Sequence, residues 1–216
     1  MNTPTKITVS RIVLIVAMLI TLFVLALIPN LEIPDLVIGD AHINWVYFGC
    51  FIVFVVAAFT DFLDGYLARK NNQVTDLGKF LDPIADKLLV DGTMIFLLVP
   101  QMYAPSHARG VLTLTILAFC VIVMISRDLI VDVLRLIAVQ KKIVIAANIF
   151  GKAKTVLQMI AIPALLLNDW PFSYFSASIP EPLHISNILF YFATIMSLIS
   201  GIIYVYQNRM VLKETK

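Results

Sequence analysis

Residues 60–89 read TDFLDGYLARKNNQVTDLGKFLDPIADKLL, and this stretch sets four aspartates, Asp61, Asp64, Asp82 and Asp86, between two strongly apolar runs. Apolar runs of this length belong in lipid, where an ionised side chain at the bilayer centre costs about 2.5–3.5 kcal/mol or more. Four carboxylates there need a reason. The rest of the chain is of the same kind, since 60% of its 216 residues are hydrophobic, against about 45–50% for ordinary soluble domains. That composition specifies an all-α polytopic membrane protein, and with a net charge of +2 no nucleic-acid partner is expected.

Working outward from that stretch, six apolar segments are expected to span the membrane, at about residues 11–28, 45–70, 78–99, 111–138, 149–167 and 185–206. An even number puts both termini on one side. No long polar linker or internal repeat interrupts the pattern, so residues 1–216 are expected to form a single membrane domain. The first segment, with Lys6 and Arg11 ahead of a long apolar run and no small-residue cleavage site after it, reads as an uncleaved helix. Every Lys and Arg except Arg109 falls on or near one side, which the positive-inside rule makes cytoplasmic. The opposite loops, 30–44, 101–110 and 168–184, carry His42, His107 and His184 singly, without metal-ligand spacing. Cys50 and Cys120 lie in separate apolar runs and read as small core residues.

Depth and direction bring the aspartates together. Asp61 lies sixteen residues after Trp45, about 24 Å along a helix in a hydrocarbon layer about 30 Å thick. Measured back from Pro100, Asp86 and Asp82 come out about 21 and 27 Å from the outer side. Asp61, Asp64, Gly65 and Ala68 follow i, i+3, i+4, i+7 spacing, and Gly78, Asp82 and Asp86 step by four, so each helix carries one acidic stripe. The short connection NNQVTD, with Thr75 or Asp76 as helix cap, predicts two antiparallel neighbours with facing stripes. Repulsion and desolvation make full ionisation of four such carboxylates costly unless a cation sits among them. Oxygen ligands without nearby His or Cys favour Mg2+ or Mn2+ over zinc, and Mg2+ keeps positions open for phosphate oxygens. A phosphate-containing lipid substrate at headgroup depth follows. A cation- or proton-coupled transporter using the same aspartates is the alternative of a different class.

The full spacing is Asp61-x2-Asp64-Gly65-x2-Ala68-Arg69-x8-Gly78-x3-Asp82-x3-Asp86, and it resembles the complete signature of the CDP-alcohol phosphatidyltransferases, a family with six transmembrane helices. The resemblance implies transfer of a phosphatidyl group from CDP-diacylglycerol, or a related CDP-linked donor, to an alcohol with release of CMP. By position it implies that Asp61, Asp64 and Asp82 are the main metal ligands, and that Asp86 both helps hold metal and acts as the catalytic general base. Asp61, Gly65, Ala68, Arg69 and Gly78 take the positions that accommodate the cytidine diphosphate. The family's fold further implies a homodimer.

The acceptor depends on a second feature. Arg127 lies sixteen residues after Val111, while Lys152 and Lys154 lie sixteen and fourteen before Asn168, which sets all three about 21–24 Å from the outer side. With Arg135 they form an expected basic wall at the depth of the aspartates. The start of the fifth span, in GKAKT at 151–155, adds free backbone N–H groups and a helix dipole. An acceptor phosphate suits such a lining, whereas each basic residue alone is also explained as a topological anchor. The opening NTPTKITVSR, the SRD at 126–128 and GKAKT are similar to the family members that use glycerol 3-phosphate. Inositol phosphate and phosphatidylglycerol stay open as acceptors.

Overall fold

A backbone segment in lipid satisfies its own N–H and C=O groups as a helix, and each long apolar run of this chain forms one. The computed structural model describes residues 3–28, 31–39, 41–70, 75–99, 103–141, 143, 149–176 and 178–209, with the side chains of residues 3, 4, 64, 66–69, 76 and 79 outside the description. The order is α1 (Thr3–Leu27), strands β1 (Asp35–Ile38) and β2 (Ala41–Asn44), α2 (Trp45–Lys70), α3 (Asp76–Leu98), α4 (Val111–Gln140), α5 (Ile149–Leu166), the single turn α6 (Ser173–Ser176) and α7 (Ile185–Gln207). Short 3-10 turns, Pro105–His107 and Glu181–Leu183, precede α4 and α7. Among the described residues, α1, α2, α4, α5 and α7 are long and apolar enough to cross a membrane. The sixth expected span, α3, has 23 residues, about 34 Å at 1.5 Å each. Length is therefore not what sets it apart: it carries Asp82, Asp86, Lys87 and Asp91.

One loop differs from expectation. Strands Asp35–Ile38 and Ala41–Asn44 pair antiparallel, Asp35 with Asn44 and Ile38 with Ala41, with Gly39 between them at φ 62°, a conformation that favours glycine. Asn44 then caps α2, its Oδ1 accepting the Val46 N–H at 3.0 Å while its Nδ2 donates to the Ile33 carbonyl at 2.9 Å.

The chain forms two compact units, Met1–Arg109 with Pro163–Ala177, and Gly110–Ile162 with Ser178–Lys216. In the first unit α1 packs along both α2 and α3, which hardly touch one another among the described residues. Its core takes Ile15, Met18 and Leu22 from α1, Cys50, Phe54 and Ala57 from α2, and Ala85, Leu89 and Met94 from α3. α1 lies along both and supplies Arg11, on which Asp61 of α2 and Asp82 of α3 converge.

The hairpin end of this unit is tied by side chains bonded to backbone. Asn168 Nδ2 donates to the His42 and Ser106 carbonyls, both at 3.1 Å, and Arg109 Nη2 donates to the Leu165 carbonyl at 3.0 Å. His107 is buried with its ring stacked on Tyr47, centroids 4.0 Å apart. Its Nε2 meets the Leu166 carbonyl at 3.2 Å and its Nδ1 meets the Ser106 hydroxyl at 3.1 Å. These partners suit the neutral ring, with Nε2–H donating and Nδ1 accepting. Burial pulls the His107 pKa down to about 4, helped by Arg109 and opposed by the Leu166 carbonyl and Asp35.

In the second unit α4 packs along α7. The buried face of α7 includes Ala193, Ser197, Ser200 and Gly201, small residues at three- and four-residue steps that let two helix backbones approach closely. Tyr204 continues that face and is buried against Val131 and Leu134 of α4.

Candidate active site

Thr8 and Arg11 share one face of α1 by their i, i+3 spacing, and both are buried. The Arg11 guanidinium pairs through Nη1 with Asp61 of α2, and its Nη2 lies 3.7 Å from Asp82 Oδ1 of α3. The Thr8 hydroxyl donates to the same Asp82 oxygen at 3.1 Å. The Arg11 side chain is 2% exposed, whereas those of Asp61 and Asp82 are 50% and 47% exposed. A buried cation therefore holds two carboxylates whose other faces are open.

The start of α3 is fixed nearby. Thr75 caps it, its hydroxyl accepting the Gly78 N–H at 3.1 Å and meeting the Thr5 hydroxyl at 2.8 Å. A Cβ on Gly78 would stand 3.1 Å from the Thr75 oxygen, so glycine keeps that cap tight. Asp86 lies one turn beyond Asp82 and is exposed. Gly65 is half-buried on α2, and the side chains of Asp64, Ala68 and Arg69 lie outside the described residues. Among the described residues no group of three His, Cys, Asp or Glu gathers in metal-holding geometry. The donor set nonetheless fits a hard cation, because two half-open carboxylates already converge on one positive group and all their free ligand atoms are oxygens.

In the sequence Arg11 counts only as one of the basic residues that set orientation. The signal this passes over is the Thr8–Arg11 spacing, which puts a polar stripe on the first apolar helix.

The second unit holds the basic residues. Asp128 accepts from Lys154 Nζ at 2.6 Å through one carboxylate oxygen and from Arg127 Nη1 at 2.7 Å through the other. Arg127 Nη2 donates to the buried Ser200 hydroxyl at 2.5 Å. The Arg127 side chain lies directly on Gly201, where an added Cβ would come within 2.7 Å of its Cγ. Lys154 is buried, Lys152 on the same helix is exposed, and Arg135 Nε donates to the Tyr204 hydroxyl at 3.2 Å. The expected basic residues thus divide: Arg127 and Lys154 meet on one carboxylate, Arg135 is held separately on Tyr204, and Lys152 faces outward. Asp128, Ser200 and Gly201 were not among the expected site residues. The Gly201 contact has no local sequence signal, since it depends on α4 lying against α7.

The sequence matches the family model for CDP-alcohol phosphatidyltransferases over residues 1–203. The chain belongs to the CDP-alcohol phosphatidyltransferase family. It is 38% identical over 214 residues to a Bacillus subtilis protein named CDP-diacylglycerol–glycerol-3-phosphate 3-phosphatidyltransferase, covering 99% of this chain and 98% of that protein. An Escherichia coli protein of the same name is 37% identical over 150 residues, covering 68% of this chain and 74% of its own length.

Proposed function

We propose that this chain transfers the phosphatidyl group of CDP-diacylglycerol to glycerol 3-phosphate, giving phosphatidylglycerophosphate and CMP at the cytoplasmic side of a bacterial cell membrane. The observation that carries the reading is the convergence of the Asp61 and Asp82 carboxylates on Arg11 in a bundle of apolar helices. The full-length likeness to the Bacillus subtilis protein supports the choice of donor and acceptor. Six spans, both termini cytoplasmic, one domain over residues 1–216 and pairing as a homodimer belong to the same proposal.

Each residue has a task in it. Asp61, Asp64, Asp82 and Asp86 would hold Mg2+ or Mn2+, which when bound neutralises charge on the donor diphosphate and the departing CMP. Arg11 and Thr8 keep Asp61 and Asp82 oriented with their open edges outward. Gly65, Ala68, Arg69 and Gly78, with Asp61, accommodate the cytidine diphosphate, glycine and alanine giving it room and Arg69 giving it charge. Asp86 takes the proton from the acceptor hydroxyl as that oxygen attacks the phosphorus bearing diacylglycerol, and the bond from this phosphorus to CMP breaks.

Of the four basic residues expected to hold the phosphate of glycerol 3-phosphate, Arg127 and Lys154 meet on Asp128 and take that task, while Arg135 and Lys152 stand apart from them. Among the described residues two cations share the single carboxylate of Asp128, and a phosphate would give that positive charge a further partner.

The test is CMP release by the purified protein with CDP-diacylglycerol, offered glycerol 3-phosphate, inositol phosphate, serine and phosphatidylglycerol in turn. Release with glycerol 3-phosphate alone is expected. Equal or greater release with phosphatidylglycerol would overturn the acceptor assignment, and flux of ions into sealed vesicles without CMP would overturn the enzyme.

A further inference from the structure

The polar residues of α1 make a row of contacts along α3, and the row does not end at the carboxylate. Arg11 and Thr8 both reach Asp82. One turn before Thr8, Thr5 meets Thr75, hydroxyl to hydroxyl at 2.8 Å, and Thr75 in turn caps α3 by accepting the Gly78 N–H at 3.1 Å. Thr5, Thr8 and Arg11 are all buried, and their three-residue steps set them on one face of α1. Their partners Thr75 and Asp82, with Gly78 between them, rise along α3 in the same order. A Cβ on Gly78 would stand 3.1 Å from the Thr75 oxygen and 3.9 Å from that of Thr5, so both hydroxyls lie close to the bare face of that glycine.

We infer that Thr5 is a positioning residue for the donor, acting through Thr75 on Gly78, an inference that rests on the function proposed above, in which Gly78 accommodates the cytidine diphosphate. The first N–H groups of a helix have no partner within it, and its first turn opens readily unless capped. Thr75 satisfies one of them, but it is only half-buried, and water competes for a cap hydroxyl in that position. Thr5 is 3% exposed, so its own hydroxyl is used inside the protein and it reaches the donor only through Thr75. Whichever of the two hydroxyls donates, their bond holds the Thr75 oxygen where it meets the Gly78 N–H. A cap by itself stabilises the helix it starts. A cap pinned by a second helix also fixes where that first turn lies relative to Arg11 and Asp82, because Thr8 and Arg11 of the same face hold the next turn. Without the Thr5 hydroxyl α3 should still form, but its first turn is free to shift against Asp82, and the loss falls on donor affinity.

The experiment measures binding of CDP-diacylglycerol to the full chain in phosphatidylcholine nanodiscs with Mg2+ and no acceptor, together with hydrogen exchange of the unliganded protein. Thr5→Val keeps the side-chain shape and removes the hydroxyl. It should raise Kd for CDP-diacylglycerol about 3- to 10-fold, the factor that one neutral hydrogen bond carries, and speed exchange in peptides from 75–82 but not in those from 185–207. Thr5→Ser should bring both back to within about two-fold of wild type. Thr75→Val should weaken donor binding at least as much, and the Thr5→Val, Thr75→Val double variant should be no worse than Thr75→Val alone, since Thr5 acts through Thr75. In turnover, Thr5→Val should raise KM for CDP-diacylglycerol and leave that for glycerol 3-phosphate within about two-fold. Wild-type donor affinity in Thr5→Val, or additive losses in the double variant, would overturn the inference. So would a variant that melts at lower temperature with exchange at 75–82 unchanged, because Thr5 would then serve packing alone. Donor binding needs no acceptor, so a protein that responds to Thr5→Val as expected yet releases no CMP with glycerol 3-phosphate would sink the acceptor reading and leave the role of Thr5 standing. A wild type that binds no CDP-diacylglycerol would overturn both.

Discussion

The two units solve opposite charge problems with the same parts. In the first, one buried guanidinium, Arg11, is shared by two carboxylates, Asp61 and Asp82. In the second, one carboxylate, Asp128, is shared by two cations, Arg127 and Lys154. Among the described residues, the first cluster sets two carboxylates against one guanidinium and the second sets two cations against one carboxylate. A fully paired cluster would serve stability alone, whereas an unbalanced one in an apolar setting keeps a place for an ion of the opposite sign. Under the function proposed above, the first unit takes the cation and the second the anion.

Removing charge from the first cluster should break this contrast most severely. Asp61→Asn, Asp82→Asn and Asp86→Asn keep side-chain shape, and each should cut CMP release by about 100-fold or more while the protein stays folded in detergent. Near-normal turnover in Asp61→Asn would refute the metal assignment.

The second cluster should answer in KM. Arg127→Ala and Lys154→Ala each remove a charged partner worth about 1.5–3 kcal/mol, so KM for glycerol 3-phosphate should rise roughly 10- to 150-fold with that for CDP-diacylglycerol within a few-fold. Arg69→Ala should show the reverse bias. Wild-type behaviour of both basic variants would reduce them to anchors and move the assignment toward an acceptor without a phosphomonoester.

Gly201→Ala sharpens the comparison at smaller amplitude. Its Cβ would press on the Arg127 side chain at 2.7 Å, so the guanidinium must shift off Ser200 or Asp128. The expected result is a rise of about 3- to 10-fold in KM for glycerol 3-phosphate at little cost to kcat. An unchanged KM would mean that Arg127 needs no fixed seat.

The loops at the hairpin end should affect turnover least and stability with a definite sign. His107 is neutral in the folded chain down to about pH 4, whereas in the unfolded chain it takes a proton near pH 6.5. Between those values the unfolded state binds more protons, so stability is full above about pH 6.5, falls as pH drops toward 4 and levels off below. Thermal melts in detergent should show that decline in the wild type and a shallower one in His107→Gln. Parallel declines would place the titrating group elsewhere.

Much of this was legible in the sequence because lipid leaves the backbone few options. The expected spans at 45–70, 111–138 and 185–206 fall on α2, α4 and α7 within a few residues. The hairpin at 35–44 was not, since its strands are four residues each and lie in a loop with no long alternating pattern. Helix adjacency was harder. A short connection between α2 and α3 suggests that they are neighbours, but it does not show that α1 lies along each. Arg11 was hidden for a different reason: a basic residue near the start of a first span satisfies the positive-inside rule whether or not it has a partner. Asp128 stood in plain view beside Arg127, and its bond to Lys154 joins residues 26 positions apart, a distance that sequence spacing alone does not bridge.

The claim of opposite imbalance is tested most directly by Mn2+ binding to the purified protein, followed by electron paramagnetic resonance in the absence of substrate. Saturable binding to the wild type is expected, abolished in the Asp61→Asn, Asp82→Asn double variant, retained or tightened in Arg11→Gln, and unaffected by Asp128→Asn. Binding that survives the double variant unchanged, or that is lost in Asp128→Asn, would contradict the account.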